Sequence, residues 1–217
     1  MHAGKMMLVD MRRCKFQLTL ILLFFPIAVF MMRGTEAFDV MGTLYLTFAG
    51  VIMAAQPFLY EQRVEAGFLY LLPVTKSERV WGRYLSGFSL NLVMVLATIL
   101  LVALKGNLMQ EGAFFQIALC FGLGMITISL QYLLFYAIGR IKSQQFAGIM
   151  MMLPGFCMYF GFSFLMEKVG NDWVEVLFWM ERHMNEIMIG AVVAGYLIWI
   201  LGAVISLAIV RRKDFIQ

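Results

Sequence analysis

The chain has 217 residues, 62% of them hydrophobic and 14% charged, with a net charge of +4 and a mean hydropathy of +0.85. Soluble domains carry about 25% charged residues, so this composition excludes a soluble globular protein and predicts a single all-α, polytopic membrane domain over residues 1–217. The positive charge is spread by membrane side and does not imply nucleic acid, and the three cysteines, Cys14, Cys120 and Cys157, offer no disulfide or metal framework.

Residues 1–15 are basic and weakly amphipathic. Met7, Met11, Cys14 and Leu18 recur at helical spacing while Lys5, Arg12, Arg13 and Lys15 fall elsewhere, which predicts a helix lying in the membrane interface. This segment has no apolar core or small-residue cleavage site, so no removable signal peptide is expected. Apolar runs follow at about 16–32, 40–60, 84–104, 113–138, 146–166 and 187–210. Each approaches or exceeds the roughly 20 residues that cross a bilayer, which predicts six transmembrane helices. Pro26 and the Pro154-Gly155 pair interrupt the first and fifth runs; membrane helices tolerate this where neighbours re-satisfy the backbone.

The stretch between spans two and three is different in kind. Residues 61–83 read EQRVEAGFLYLLPVTKSERVWGR, with Arg63, Lys76, Arg79 and Arg83 against Glu61, Glu65 and Glu78. Val64, Phe68, Leu71 and Leu72 fall on one face of a helix. Pro73 cannot continue that helix, because it has no N–H and its ring meets the preceding turn. Thr75-Lys76-Ser77-Glu78 then matches a capping box, so a new helix is expected to start near Lys76. The segment reads as a docking element on the membrane surface. An interfacial helix held only by lipid headgroups is the plainer reading, and the paired Glu61 and Glu65 suit an anionic leaflet poorly.

An even number of spans puts both termini on one side. The N-terminal segment, residues 61–83, the turn GRIKSQQ at 139–145 and the C-terminal tail hold thirteen Lys and Arg residues, against four on the other side, Arg33, Lys105, Lys168 and Arg182. The positive-inside rule therefore places both termini and the docking element in the cytoplasm.

None of the six runs contains Asp, Glu, Lys, Arg or His. A proton- or ion-driven carrier needs ionisable groups inside the membrane, and their absence argues against one. His2 and His183, the only histidines, lie outside the runs, which argues against a metal-dependent intramembrane protease. No catalytic residue and no metal site is expected. Gln56, Asn91 and Gln131 are the candidates for a polar translocation path, although Gln56 and Gln131 equally suit interhelical hydrogen bonds. Ala191/Gly195 and Gly202/Ser206 form small-xxx-small pairs that permit close helix approach, at a dimer face among other places. The outer loop 167–186 carries Trp173, Val176, Leu177 and Met180 on one helical face, read as an interfacial anchor or an exit gate. There is no G-x-x-x-x-G-K-[ST] phosphate loop, so energy for any transport must come from another chain.

These features together give a resemblance. A basic lead-in (GKMMLVDMRRCKFQ), six spans, and a loop reading E-x-x-x-E-x-G followed by L-L-P-V-T-K-S-E and G-R-Y-L resemble the small bacterial permease subunits of type 2 ABC exporters, including exporters of amphipathic peptides such as phenol-soluble modulins. The resemblance implies that Glu61, Glu65, Gly67, Phe68, Pro73, Thr75, Lys76 and Glu78 form a coupling helix seated in a groove of a cytoplasmic ATPase. It also implies two such ATPase chains, a second permease copy (identical or related), ATP and Mg bound by the ATPase and not by this chain, and a bacterial cytoplasmic membrane. The loop before span six is shorter than in permeases with large outer domains. Two other readings compete: a substrate-capture subunit of a vitamin-uptake complex, and a non-transporting membrane scaffold. The first resembles chains with an AxxxA pattern in span one, where this chain has Ala28 alone.

Overall fold

The computed structural model describes residues 4–12, 37–61, 75–104, 111–138 and 173–212, together with Lys15, Thr19, Phe25, Phe156, Phe160, Ser163, Phe164 and Glu167 individually. Its helices are α1 (residues 4–12), α2 (Ala37–Glu61), α3 (Lys76–Leu104), α4 (Glu111–Ile138), α5 (Trp173–Arg182) and α6 (Met184–Arg212). Among the described residues there is no strand.

Three of these helices, α3, the part of α4 from Gly112 to Ile138, and α6, are long and apolar enough to cross a membrane. The 29 residues of α3 span about 43 Å at 1.5 Å per residue, more than the roughly 30 Å hydrocarbon layer. The expected runs 84–104, 113–138 and 187–210 fall inside α3, α4 and α6, and the run 40–60 falls inside α2. Pro57 lies within the last two turns of α2 and removes one ladder donor there. The first and fifth runs lie outside the described residues, apart from the few placed individually. Of those, Phe25 packs against the core, while Phe156, Phe160 and Phe164 are helical and exposed.

Two helix boundaries sharpen the sequence-based reading. The helix holding the third span begins at Lys76, as the capping box predicts, eight residues before the apolar run at 84. The segment 167–186, expected as a loop with one helical face, contains the ten-residue α5. A turn at His183 then leads directly into α6. The corner is held by His183 N–H donating to Trp179 O at 3.1 Å and Ile187 N–H to His183 O at 3.0 Å. The His183 ring also stacks on Trp179 at 4.7 Å between centroids.

Small residues set how close the helices come. The most extensive helix contact is between α4 and α6. A Cβ built on Gly122 would lie 2.5 Å from the Ala191 carbonyl oxygen, and one on Gly195 would lie 3.0 Å from the Cα of Gly122. A Cβ on Gly202 would collide with Ser129 Oγ. The Ala191/Gly195 and Gly202/Ser206 pairs are therefore spent on packing within the chain, against α4 and α3, and are not a free dimer face. Between apolar helices in lipid such close backbone approach supplies the dispersion contacts that hydrophobic burial cannot. The opposite face of α6 exposes Ile189, Val193, Leu197, Leu201 and Val204, a surface suited to hydrocarbon.

Candidate functional site

The end of the bundle where α2 finishes and α3 starts holds the polar chemistry. At the start of α3 the capping box is closed. Thr75 N–H and Oγ1–H donate to Glu78 Oε2 at 3.0 and 2.9 Å, and Glu78 N–H donates back to Thr75 Oγ1 at 3.2 Å. Arg79 N–H reaches Thr75 O at 3.0 Å and completes the first turn. A cap of this kind is worth about 0.5–2 kcal/mol. Thr75 and Glu78 thus turn polar groups on each other and define where the helix begins, while Lys76 is exposed.

Two turns further along α3 lies Arg83. The sequence counts it with the surface charges of the docking element. The structure instead buries it: Arg83 is 2% exposed and its ion-pair partner, Asp10 of α1, is 0% exposed, with Nε and Oδ2 3.9 Å apart. The guanidinium carbon sits 4.2 Å from the centroid of Phe58, near the end of α2. A desolvated cation on an aromatic face is worth about 2 kcal/mol. Phe58 in turn stacks on Phe135 of α4 at 4.6 Å with the rings 9° from parallel, and meets Tyr136 edge-on at 5.3 Å. Removing one member of a buried ion pair typically costs about 3–5 kcal/mol, because the other charge stays in a medium that cannot solvate it.

Asp10 also revises the reading of the N-terminal helix. The sequence sets Met7, Met11, Cys14 and Leu18 at helical spacing. In the structure Met6 and Asp10 are the buried residues, Met7, Val9 and Met11 are half-buried, and Lys5, Leu8 and Arg12 face outward. Cys14 and Leu18 lie outside the described residues. Ser89 Oγ, which donates to Leu85 O at 2.9 Å, lies 3.6 Å from Met7 Sδ, so α1 packs on α3 and does not simply rest on lipid.

Next to Arg83, Tyr84 ties three helices together. Its hydroxyl lies 2.9 Å from Ser206 Oγ on α6 and 3.5 Å from Ser129 O on α4. Ser129 Oγ–H donates to Ile198 O at 2.9 Å, and Trp199 Nε1–H to Tyr84 O at 3.3 Å. Tyr132 meets the Tyr84 ring edge-on at 5.3 Å.

Of the expected docking residues, Glu61 is the last residue of α2 and Thr75, Lys76 and Glu78 open α3. Glu65, Gly67, Phe68 and Pro73 lie outside the described residues. The expected path residues are not gathered into one site. Asn91 is buried and donates from Nδ2 to Phe121 O at 3.0 Å, with its carboxamide against Gly124. Gln56 is half-buried. Gln131 is fully buried, and neither of its carboxamide atoms has a hydrogen-bond partner among the described residues.

At the other end of the bundle, Val95, Phe114, Ile117, Phe121, Met188 and Val192 line an open apolar groove of about 690 Å³, with Asn185 at its polar edge. A polar cluster lies nearby: the Thr47 and Thr98 hydroxyls, which donate to Thr43 O and Met94 O at 2.9 and 3.0 Å, both lie 3.5 Å from Cys120 Sγ. Among the described residues no cluster of His, Cys, Asp and Glu is arranged to hold a metal ion.

Asp10, Arg83, Phe58 and Tyr84 were not singled out by sequence reasoning. A signal existed in Asp10: it stands four residues after Met6 in a segment rich in Met6, Met7 and Met11. An acid on the apolar side of a helix calls for a buried cation.

Helices able to cross a membrane, a buried charged foot and a capped helix start define a membrane-embedded protein with a structured junction at one end of its bundle. The chain belongs to a family described as ABC-2 family transporter protein, whose profile matches residues 6–211. It is thus a transmembrane subunit of an ABC transporter, not itself an enzyme, and the family implies a partner ATPase subunit. No curated protein and no solved structure matches the chain.

Proposed function

We propose that the chain is the permease half of an ATP-driven exporter and that residues 61–78 seat it on a separately encoded cytoplasmic ATPase. The observation that carries this reading is the anchoring of that segment at both ends. Phe58, three residues before the end of α2, and Arg83, seven residues into α3, are in direct contact at 4.2 Å. The last turn of α2 and the early turns of α3 thus meet in the bundle, and α3 starts with a closed capping box. A force delivered to the ends of α2 and α3 would reach the core through the Phe58–Arg83 contact.

In this reading Glu61, Glu65, Gly67, Phe68, Pro73, Thr75, Lys76 and Glu78 make up the docking element. Two ATPase chains carry ATP and Mg, two permease copies pair, and both termini face the cytoplasm of a bacterium. ATP-driven closure of the ATPases would rock the helices between inward- and outward-facing states. Amphipathic peptides or other hydrophobic toxic compounds are the proposed cargo, supported by the absence of charge in the apolar runs and by the apolar groove on α3, α4 and α6. Gln131 is the path residue we favour, because its carboxamide has no hydrogen-bond partner among the described residues. The family assignment does not favour a vitamin-capture subunit.

The test is co-purification with the ATPase and ATP turnover with and without it. Glu65→Ala removes a charge-assisted contact, and losing one partner of a desolvated pair costs about 2–5 kcal/mol. Gly67→Leu adds bulk where close approach to a groove wall is needed. Both variants should insert normally yet lose the ATPase or uncouple its turnover from transport. Thr75→Ala, which weakens only the cap by about 0.5–2 kcal/mol, should give a partial defect. Full ATPase retention and full export by both docking variants would sink the reading, as would ATP hydrolysis by the purified chain alone.

A further inference from the structure

We infer that Asp10 and Arg83 are positioning residues for coupling, and that they bind residues 4–12, the end of α2 and the foot of α3 into one body that moves together. The inference rests on the docking reading above, since it concerns what happens to a force applied at residues 62–74.

Three observations carry it. First, Asp10 and Arg83 are both buried, at 0% and 2% exposure. A helix that only anchors to a membrane surface turns its charges toward headgroups and water; α1 instead turns Asp10 inward while Lys5 and Arg12 face out. Second, the contact between α1 and α3 extends beyond the ion pair. Met7 Sδ lies 3.6 Å from Ser89 Oγ, and Met11 packs against the core. Third, Arg83 touches Phe58 at the same time as Asp10, so one side chain joins three elements on both sides of the docking segment.

The chemistry of the joint matters. Apolar surfaces slide past one another at low cost, because their contacts are non-directional. A buried carboxylate and guanidinium do not: separating them forfeits an attraction that a low-dielectric surrounding makes strong. The pair therefore resists slip between α1 and α3. Phe58, stacked on Phe135, passes the same constraint to α4.

The experiment uses the permease–ATPase complex with cysteines at Met7 and Ser89 in a background lacking the native cysteines. A short bis-methanethiosulfonate reagent, reversible by reductant, reports whether the two helices stay together. In the wild-type background the cross-link yield should be the same without nucleotide and in the ATP–vanadate-trapped state, and the cross-linked complex should keep its ATP turnover. In Asp10→Asn and Arg83→Gln the ATPase should remain bound, but the yield should drop in the trapped state, because α1 no longer follows α3. The exchanged pair, Asp10→Arg with Arg83→Asp, should restore the yield, which a merely misfolded single variant would not predict. A wild-type yield that collapses on trapping, or a cross-link that stops turnover until reductant is added, would show that α1 must part from α3 and would overturn the inference. Equal yields in both states for Asp10→Asn and Arg83→Gln would overturn it as well. These outcomes leave docking itself standing. A wild-type chain that retains no ATPase removes the docking reading and this inference with it.

Discussion

The contact between α4 and α6 offers a sharp test of the packing, because it rests on atoms that are not there. Replacing Gly122 with Ala places a Cβ 2.5 Å from the carbonyl oxygen of Ala191 and 2.7 Å from its carbonyl carbon. Ordinary contact begins near 3.4 Å, so the two backbones must separate by about 0.9 Å at the crossing. No flexible side chain can give way, since the obstacle is the α6 backbone itself. A radial gap of 0.5–1 Å forfeits about a quarter to a half of each affected dispersion contact, and overpacking of this sort costs about 1–3 kcal/mol. For a chain of this size that corresponds to a fall in Tm of about 2–4 °C per kcal/mol. Gly190→Ala, on α6 next to Ala191 but with no atom within 4 Å of the added methyl, is the control. It should be neutral or stabilise by up to about 1 kcal/mol, the helix-propensity difference between Gly and Ala. Thermal unfolding of the two variants in the same detergent, followed by size-exclusion chromatography of the heated samples, separates them. An unchanged Tm for Gly122→Ala, or an equal loss for Gly190→Ala, would refute the claim that this glycine sets the helix separation.

Cysteine introduced at Gln110 or Asn171 should react with an impermeant thiol reagent in intact cells while cysteine at Ser77 or Ser143 should not; reversed labelling would invert the proposed orientation. Tyr84→Phe and Ser206→Ala each remove one partner of the 2.9 Å contact between α3 and α6. Each should lower stability by about 0.6 kcal/mol and at most about 1.7, the range for interhelical hydrogen bonds in membranes. The double variant should cost less than the sum of the two, and strict additivity in thermal unfolding would show that the two hydroxyls do not interact.

Composition and the spacing of apolar runs were enough to establish an all-helical membrane protein, because a bilayer demands long uncharged stretches whose backbone satisfies itself. The start of α3 was equally legible. A capping box is closed within four consecutive residues, so Thr75 and Glu78 carry the whole instruction locally. The small-residue pairs on α6 announced close approach but not to what, and the tertiary structure spent them on α4 through Gly122 and on Ser129 and Tyr84. Asn91 and Gln131 look alike in a list of polar residues in apolar runs, yet one is engaged with Phe121 O and the other has no partner among the described residues. Arg83 shows the limit most plainly. Along the chain it is one of four basic residues in a charged segment, and nothing within a helical turn sets it apart from Arg79. Its burial is decided by Asp10, 73 positions away, and by the Phe58 ring at the end of another helix. The cost of desolvating a charge depends on what surrounds it in space, and only the folded arrangement brings the carboxylate and the aromatic face to the same guanidinium.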